Sequence, residues 1–239
     1  MKLVDAHVHL NEFSENHIKL FSKRFVLIAV SEDLTSSIKN LELSYLYESV
    51  IPALGIHPWN VHKTCKEEIE KIIKLVEEKN IKVLGEIGLD KKFYPNTFDK
   101  QKEIFERFLK LAKDLDLSLN VHAAGAWREV YDLILKYDIK KVYFHWYTGP
   151  IDLLEEIENK GFFIGINPAL KIQNKHLEIL KIVDVKNILT ESDGPYMYRN
   201  LYLSPLEIDN LYDTISSVKN LEKEKLVRII RNNLSKFLL

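Results

Sequence analysis

The chain has 239 residues, with 34 lysines and arginines against 35 aspartates and glutamates, so its net charge of -1 sets up no global field for nucleic acid or anionic lipid. Any such partner must be held locally, and 46% hydrophobic content suffices for one large core, so the expectation is a single domain over residues 1–239. One cysteine, Cys65, excludes an internal disulfide, Asp5 and His7 interrupt any leader-like apolar start, and no run approaches the roughly 18 apolar residues of a membrane span, so a cytoplasmic setting without a membrane partner is expected.

The first predicted element is a strand over residues 2–9. Within it, VDAHVHL puts Asp5, His7 and His9 on one face and Ala6, Val8 and Leu10 on the other. Imidazoles two residues apart on a strand either converge on one metal ion or stand in water along an exposed edge. Further strands are expected at 25–30, 50–57, 82–89, 117–122, 142–146, 162–167 and 187–190. Between them lie amphipathic helical patterns. In residues 66–79, Ile69, Ile72, Ile73 and Val76 share a face; in 99–114, Ile104, Phe105, Phe108, Leu109 and Ala112 do the same. Two more helices, 206–218 and 223–237, close the chain.

Eight strands alternating with helices imply parallel pairing through right-handed crossovers, and such units close most simply into a (β/α)8 TIM barrel of the α/β class. An open doubly wound sheet would place a G-x-G-x-x-G loop after the first strand, and none is present.

In that barrel the polar residues fall at the C-terminal strand ends: His7 and His9, His57, Glu86 with Asp90, His122, His145, and Asp193. Singly, each is an ordinary loop residue. Together they would crowd carboxylates and imidazoles at a cost of several kcal/mol, which a bound divalent cation removes. His17, His62 and His176 fall outside the strand ends and are expected at the surface, with His62 near enough to reach the rim.

The ordered set DAHVHL (5–10), GIHPW (55–59), GEIGLD (85–90), QKEIFERFLKLAK (101–113), VHA (121–123), FHWYTG (144–149) and TESDGPY (190–196) resembles the TatD family of metal-dependent deoxyribonucleases, in the amidohydrolase superfamily. The resemblance implies two divalent ions, Zn, Mg or Mn, with His7, His9 and Asp193 on one, His122 and His145 on the other, and Glu86 bridging them. It places His57 on the substrate side. Imidazole and oxygen donors without thiolate agree with that metal range.

Lowering the pKa of water from about 15.7 to about 7 corresponds to roughly 12 kcal/mol, against about 10² to 10⁴ in rate from a positioned base. The implied catalyst is therefore a metal-activated water, with Asp193 and Glu86 as catalytic carboxylates and Asp193 taking the proton. Two departures concern the substrate. The family's H-x-R reads His122-Ala123-Ala124, and the stretch after the last aspartate is YMYRNLYLSP (196–205). Arg199, Lys91 and Lys92 are candidate phosphate contacts, although each reads first as a solvated loop charge. Trp146, with Trp59, Phe93, Tyr147 and Tyr196, could stack bases or wall the pocket. DNA or another phosphodiester is the expected substrate; the alternatives are an ester, lactone or amide hydrolase, and a non-catalytic metal protein.

Overall fold

The computed structural model describes residues 1–239. Eight strands, β1 (Leu3–Val8), β2 (Phe25–Val30), β3 (Val50–Leu54), β4 (Val83–Gly88), β5 (Ser118–His122), β6 (Val142–Phe144), β7 (Phe163–Ile166) and β8 (Ile188–Thr190), hydrogen-bond in chain order. Every neighbouring pair is parallel. The helices that return the chain are α1 (Glu15–Arg24), α2 (Leu34–Leu46), α3 (Lys66–Glu78), α4 (Phe98–Leu115), α5 (Trp127–Lys136), α6 (Ile151–Asn159), α7 (Asn174–Ile182), α8 (Ile208–Lys219) and α9 (Lys223–Leu238). The expected (β/α)8 TIM barrel is the observed architecture.

Helix formation follows the apolar stripes. α4 buries Ile104, Phe105, Phe108 and Leu109 against the sheet while its charged residues face out. Phe108 is fully buried, so Phe108→Ala would cost on the order of 3–5 kcal/mol. α2 starts where the Asp33 carboxylate accepts the Ser36 N–H, satisfying a donor that the first turn leaves free.

Closure of the barrel positions the site. β8 and the residues after it return to β1, where Thr190 Oγ1 donates to the Val4 carbonyl at 2.7 Å and the Asp193 N–H donates to the His7 carbonyl at 2.9 Å. Asp193 is thereby held beside His7, 186 residues away in sequence. At β4–β5, Gly88 pairs with His122 and has φ +143°; a Cβ there would stand 2.0 Å from the His122 carbonyl oxygen. Only glycine lets the two strands approach so closely beside that histidine.

Apart from β2, which spans the expected 25–30, the strands are shorter than the sequence pattern indicates. β1 stops at Val8 and β6 at Phe144, so His9, His145 and Trp146 lie just beyond the strand ends. One element was not anticipated: β9 (Tyr196–Tyr198) and β10 (Leu201–Leu203) form an antiparallel hairpin after Asp193. No helix is long and apolar enough to cross a membrane.

Candidate metal centre

At the C-terminal rim, His7, His9, His57, Glu86, His122, His145 and Asp193 form one cluster, with Glu86 at its centre. Glu86 Oε2 faces His7 Nε2 at 3.2 Å and His9 Nε2 at 3.8 Å. Its Oε1 faces His122 Nδ1 at 2.7 Å, His145 Nε2 at 3.1 Å and His57 Nε2 at 3.2 Å. Each oxygen therefore addresses its own set of imidazoles. Asp193 completes the first set, with Oδ1 3.3 Å from His7 Nε2 and 3.6 Å from His9 Nε2. The His7 and His145 rings stack with centroids 4.0 Å apart, which joins the two sets.

Neighbouring groups decide which ring nitrogen each histidine presents. Asn120 Nδ2 donates to the Ala6 carbonyl at 2.9 Å, so its Oδ1 is the atom that accepts from His7 Nδ1 at 2.8 Å. His7 Nε2 is left bare toward Glu86 and Asp193. Asp90 Oδ2 accepts from His122 Nε2 at 3.0 Å, leaving Nδ1 for Glu86. His57 is arranged the other way: its Nδ1 accepts the Trp59 N–H at 3.1 Å, which keeps the proton on Nε2.

Taken by themselves, these side chains compensate one another with protons. Burial alone would lower His7, but Glu86 and Asp193 outweigh it and hold the ring well above its usual value. His122 behaves likewise and rises to about 9, because Asp90 and Glu86 overcome its burial. Glu86 and Asp193, although buried, are held below the usual carboxylate range by the histidines around them. His57 differs: burial prevails over the attraction of Glu86 and lowers it to about 4. The site demands positive charge between its carboxylates and imidazoles.

A divalent cation fits that demand. The buried His7 Nε2, aimed at Glu86 and Asp193, has no hydrogen-bond partner. Donor atoms of His7, His9 and Glu86 lie within 4.8 Å of one another, as do those of His7, His145 and Asp193, and of His57, Glu86 and His122. Buried nitrogen lone pairs converging with carboxylate oxygens are costly unless a cation lies among them.

The backbone is shaped to the site as well. Trp146 and Asp193 adopt left-handed φ angles of 41° and 54°. Such conformations cost non-glycine residues about 1–2 kcal/mol each and persist where surrounding bonds enforce them. Here the Trp146 N–H donates to Glu191 Oε1 at 2.8 Å, and the Asp193 N–H to His7 as described.

Several supporting residues escaped the sequence reading. Glu191, fully buried, accepts from Trp146 N–H, from Asn167 Nδ2 at 3.0 Å and from the Tyr143 hydroxyl, and lies 3.7 Å from His145 Nδ1. Asn120 was also missed. Glu191 stands in the quoted TESDGPY, but no local pattern marks it, because its donors come from β6, β7 and their loops. Asp90 is at the rim as expected, yet its oxygens are committed to His122, Trp59 Nε1 at 2.5 Å, and the N–H groups of Lys92 and Phe93. It is held at about 2, its burial outweighed by those donors. Asp5 lies beneath the cluster, where Oδ1 accepts the Ser192 N–H at 2.8 Å and burial pushes the carboxyl up to about 7.

Above the cluster opens a cavity of about 510 Å³ lined by all three tryptophans, Trp59, Trp127 and Trp146, with Phe93, Tyr196 and Tyr198. His57 and Trp146 line it, but Arg199 does not: it sits at the exposed hairpin turn with its guanidinium 5.5 Å from the Tyr198 ring centroid. Two expectations are corrected. His176 is fully buried, its Nε2 accepting the Asn167 N–H at 3.0 Å, because α7 carries it under the β7 loop. Tyr147 is also fully buried, its hydroxyl donating to the Pro150 carbonyl at 2.6 Å, so it belongs to the core rather than the pocket wall.

A parallel eight-stranded barrel with a histidine–carboxylate cluster at its C-terminal rim defines a metal-dependent barrel hydrolase. The family described as TatD related DNase matches residues 4–239, and the chain belongs to it. It is a metal-dependent hydrolase of the TatD type. An uncharacterized metal-dependent hydrolase of Methanocaldococcus jannaschii is 31% identical, with 99% of this chain and 97% of that protein covered. The human deoxyribonuclease TATDN3 is 26% identical over 97% of this chain and 92% of its own length. In fold, the chain is similar to the TatD homolog YjjV of Escherichia coli, with a TM-score of 0.90 and 19% identity over 99% of this chain and 97% of that one.

Proposed function

We propose that this chain is a phosphodiesterase that hydrolyses DNA with two divalent cations, and that all 239 residues act as one hydrolase domain. The observation that carries the reading is Glu86, whose two oxygens face separate sets of imidazoles. His7, His9 and Asp193 would hold one ion and His122 and His145 the second, with Glu86 the carboxylate available to both. An imidazole-rich donor set favours zinc over magnesium. The named deoxyribonuclease among the relatives supports DNA as substrate, and nothing in the cavity favours a lactone or amide over it.

Bound divalent cations supply an activated water near neutral pH and offset charge developing on the phosphate. The side chains do the rest. Asp193, ionised beside His7 and His9, accepts the proton of the attacking water at its carboxylate. His57, neutral with its proton on Nε2, donates a hydrogen bond across the centre toward Glu86 or a substrate oxygen. Asn120 and Asp90 lock His7 and His122 in their tautomers. Trp59, Phe93 and Trp146 exclude water from the cavity walls.

The test is incubation of purified protein with Mn²⁺, Mg²⁺ or Zn²⁺ and labelled DNA, with His145→Ala run alongside to expose a contaminating nuclease. Metal-dependent cleavage absent from the variant supports the reading; equal cleavage by both, or none by wild type, overturns it.

A further inference from the structure

The cavity that receives the proposed substrate has a lopsided charge. Beside His9 its wall carries Glu12 and Glu32, and its single lysine or arginine is Lys92, on the loop after β4. Ala124, two past His122, lines the same wall as Lys92 and brings no charge to it.

Lys91 and Lys92 are adjacent in sequence and differ in fate. Lys91 Nζ pairs with Glu129 at 2.5 Å, outside the cavity. Lys92 pairs with no carboxylate; its ammonium lies 4.9 Å from the Phe93 ring centroid and its side chain lines the cavity. Its backbone is pinned. The Lys92 N–H donates to Asp90 Oδ1 at 2.9 Å, and Asp90 also holds His122, so the loop that carries Lys92 is tied directly to the candidate metal centre. The Lys91 N–H donates to the Ala124 carbonyl at 2.9 Å, laying the two loops side by side. Gly125 has φ +70°, and a Cβ there would come within 3.2 Å of both Lys92 N and Lys92 Cβ. The loop after β5 is thus trimmed to Ala–Gly where the Lys92 loop leans on it.

We infer that Lys92 is the residue that binds the substrate phosphate in this chain, supplying from the loop after β4 the single lysine or arginine charge of the cavity wall; the inference rests on the phosphodiesterase reading above. The ammonium acts as a point charge rather than a bidentate fork, so it holds an anionic phosphate without fixing its rotation. The carboxylates of Glu12 and Glu32 repel a phosphate from the wall beside His9. Together they orient the anionic part of the substrate toward Lys92.

The experiment measures binding and turnover of a fluorescent oligodeoxynucleotide by Mn²⁺-reconstituted wild type, Lys92→Ala, Lys92→Arg and the Lys92→Ala/Ala124→Arg double variant, over a range of salt. A methylphosphonate oligomer of the same sequence, which has no backbone charge, serves as the control probe. Lys92→Ala should raise KM and Kd for the charged oligomer roughly tenfold, leave kcat and the melting temperature near wild type, and flatten the salt dependence of log Kd by about one unit of slope. It should not change affinity for the methylphosphonate. Lys92→Arg and the double variant should restore the loss. If wild type binds and cleaves the charged oligomer and Lys92→Ala matches it in Kd and salt slope, the role of Lys92 is refuted while the nuclease reading stands. If wild type neither binds nor cleaves the charged oligomer, both fall.

Discussion

Asn120 fixes the chemical state of His7: its amide nitrogen donates to the Ala6 carbonyl, so its oxygen accepts a hydrogen bond from His7 Nδ1–H at 2.8 Å and turns Nε2 toward Glu86 and Asp193. An imidazole locked in this way is a better metal ligand than one free to rotate or change tautomer. Asn120→Ala should therefore weaken metal affinity about 10- to 100-fold while the barrel remains folded. Competition with a graded chelator, followed by metal content, measures it. Unchanged affinity would show that the Asn120 bond is incidental.

Asp193 is argued to move a proton as well as to hold an ion. Asp193→Asn keeps the shape and one oxygen, so most bound metal should remain while DNA hydrolysis falls by about 10² or more. Wild-type turnover in this variant would exclude Asp193 as the base.

Metal should stabilise the fold, because the converging ligands come from five different strands or strand ends and exist together only when the barrel is closed. At 100 times its dissociation constant each ion adds about 2.7 kcal/mol. Chelation should lower the melting temperature of wild type, and Glu86→Gln should show little response to added Mn²⁺. An equal Mn²⁺ response in both proteins would place the metal elsewhere.

His176 makes a separate prediction about pH. Its ring is buried and neutral, with Nε2 accepting from Asn167 and Nδ1 donating to the Tyr147 carbonyl at 3.1 Å, and burial lowers it from 6.5 to about 4. The unfolded chain binds this proton near pH 6.5 and the folded chain only near 4, so between those values the unfolded state holds more protons. The contribution is complete above pH 6.5 and is lost as pH falls toward 4, on the order of 3 kcal/mol in all. His176→Gln keeps an acceptor for the Asn167 N–H without a titrating ring. Denaturant titrations should give a wild-type advantage that grows from pH 4 to pH 6.5; a constant difference would contradict the assignment.

What could be read from the sequence divides along physical lines. Strand and helix periods are local, so all eight barrel strands were legible from apolar patterning, and parallel order then carried His7, Glu86, His122, His145 and Asp193 to one rim. The bonds that orient those ligands are not local. Asn120 reaches Ala6 across the barrel interior, and Glu191 collects donors from Tyr143, Trp146 and Asn167, pairings that depend on register. His176 and Tyr147 were misplaced for a related reason: a polar residue on a short helix or loop gives no sign that another loop folds over it. The β9–β10 hairpin was missed because YMYRNLYL carries no glycine or proline at its turn; Arg199 takes the left-handed conformation instead.

The central claim is a pair of divalent cations shared by Glu86. The most direct measurement is an anomalous difference map from crystals of the Mn²⁺-loaded protein. The account predicts two peaks, one against Glu86 Oε2 with His7, His9 and Asp193, and one against Oε1 with His122 and His145. A single peak, or none within bonding distance of Glu86, would contradict it.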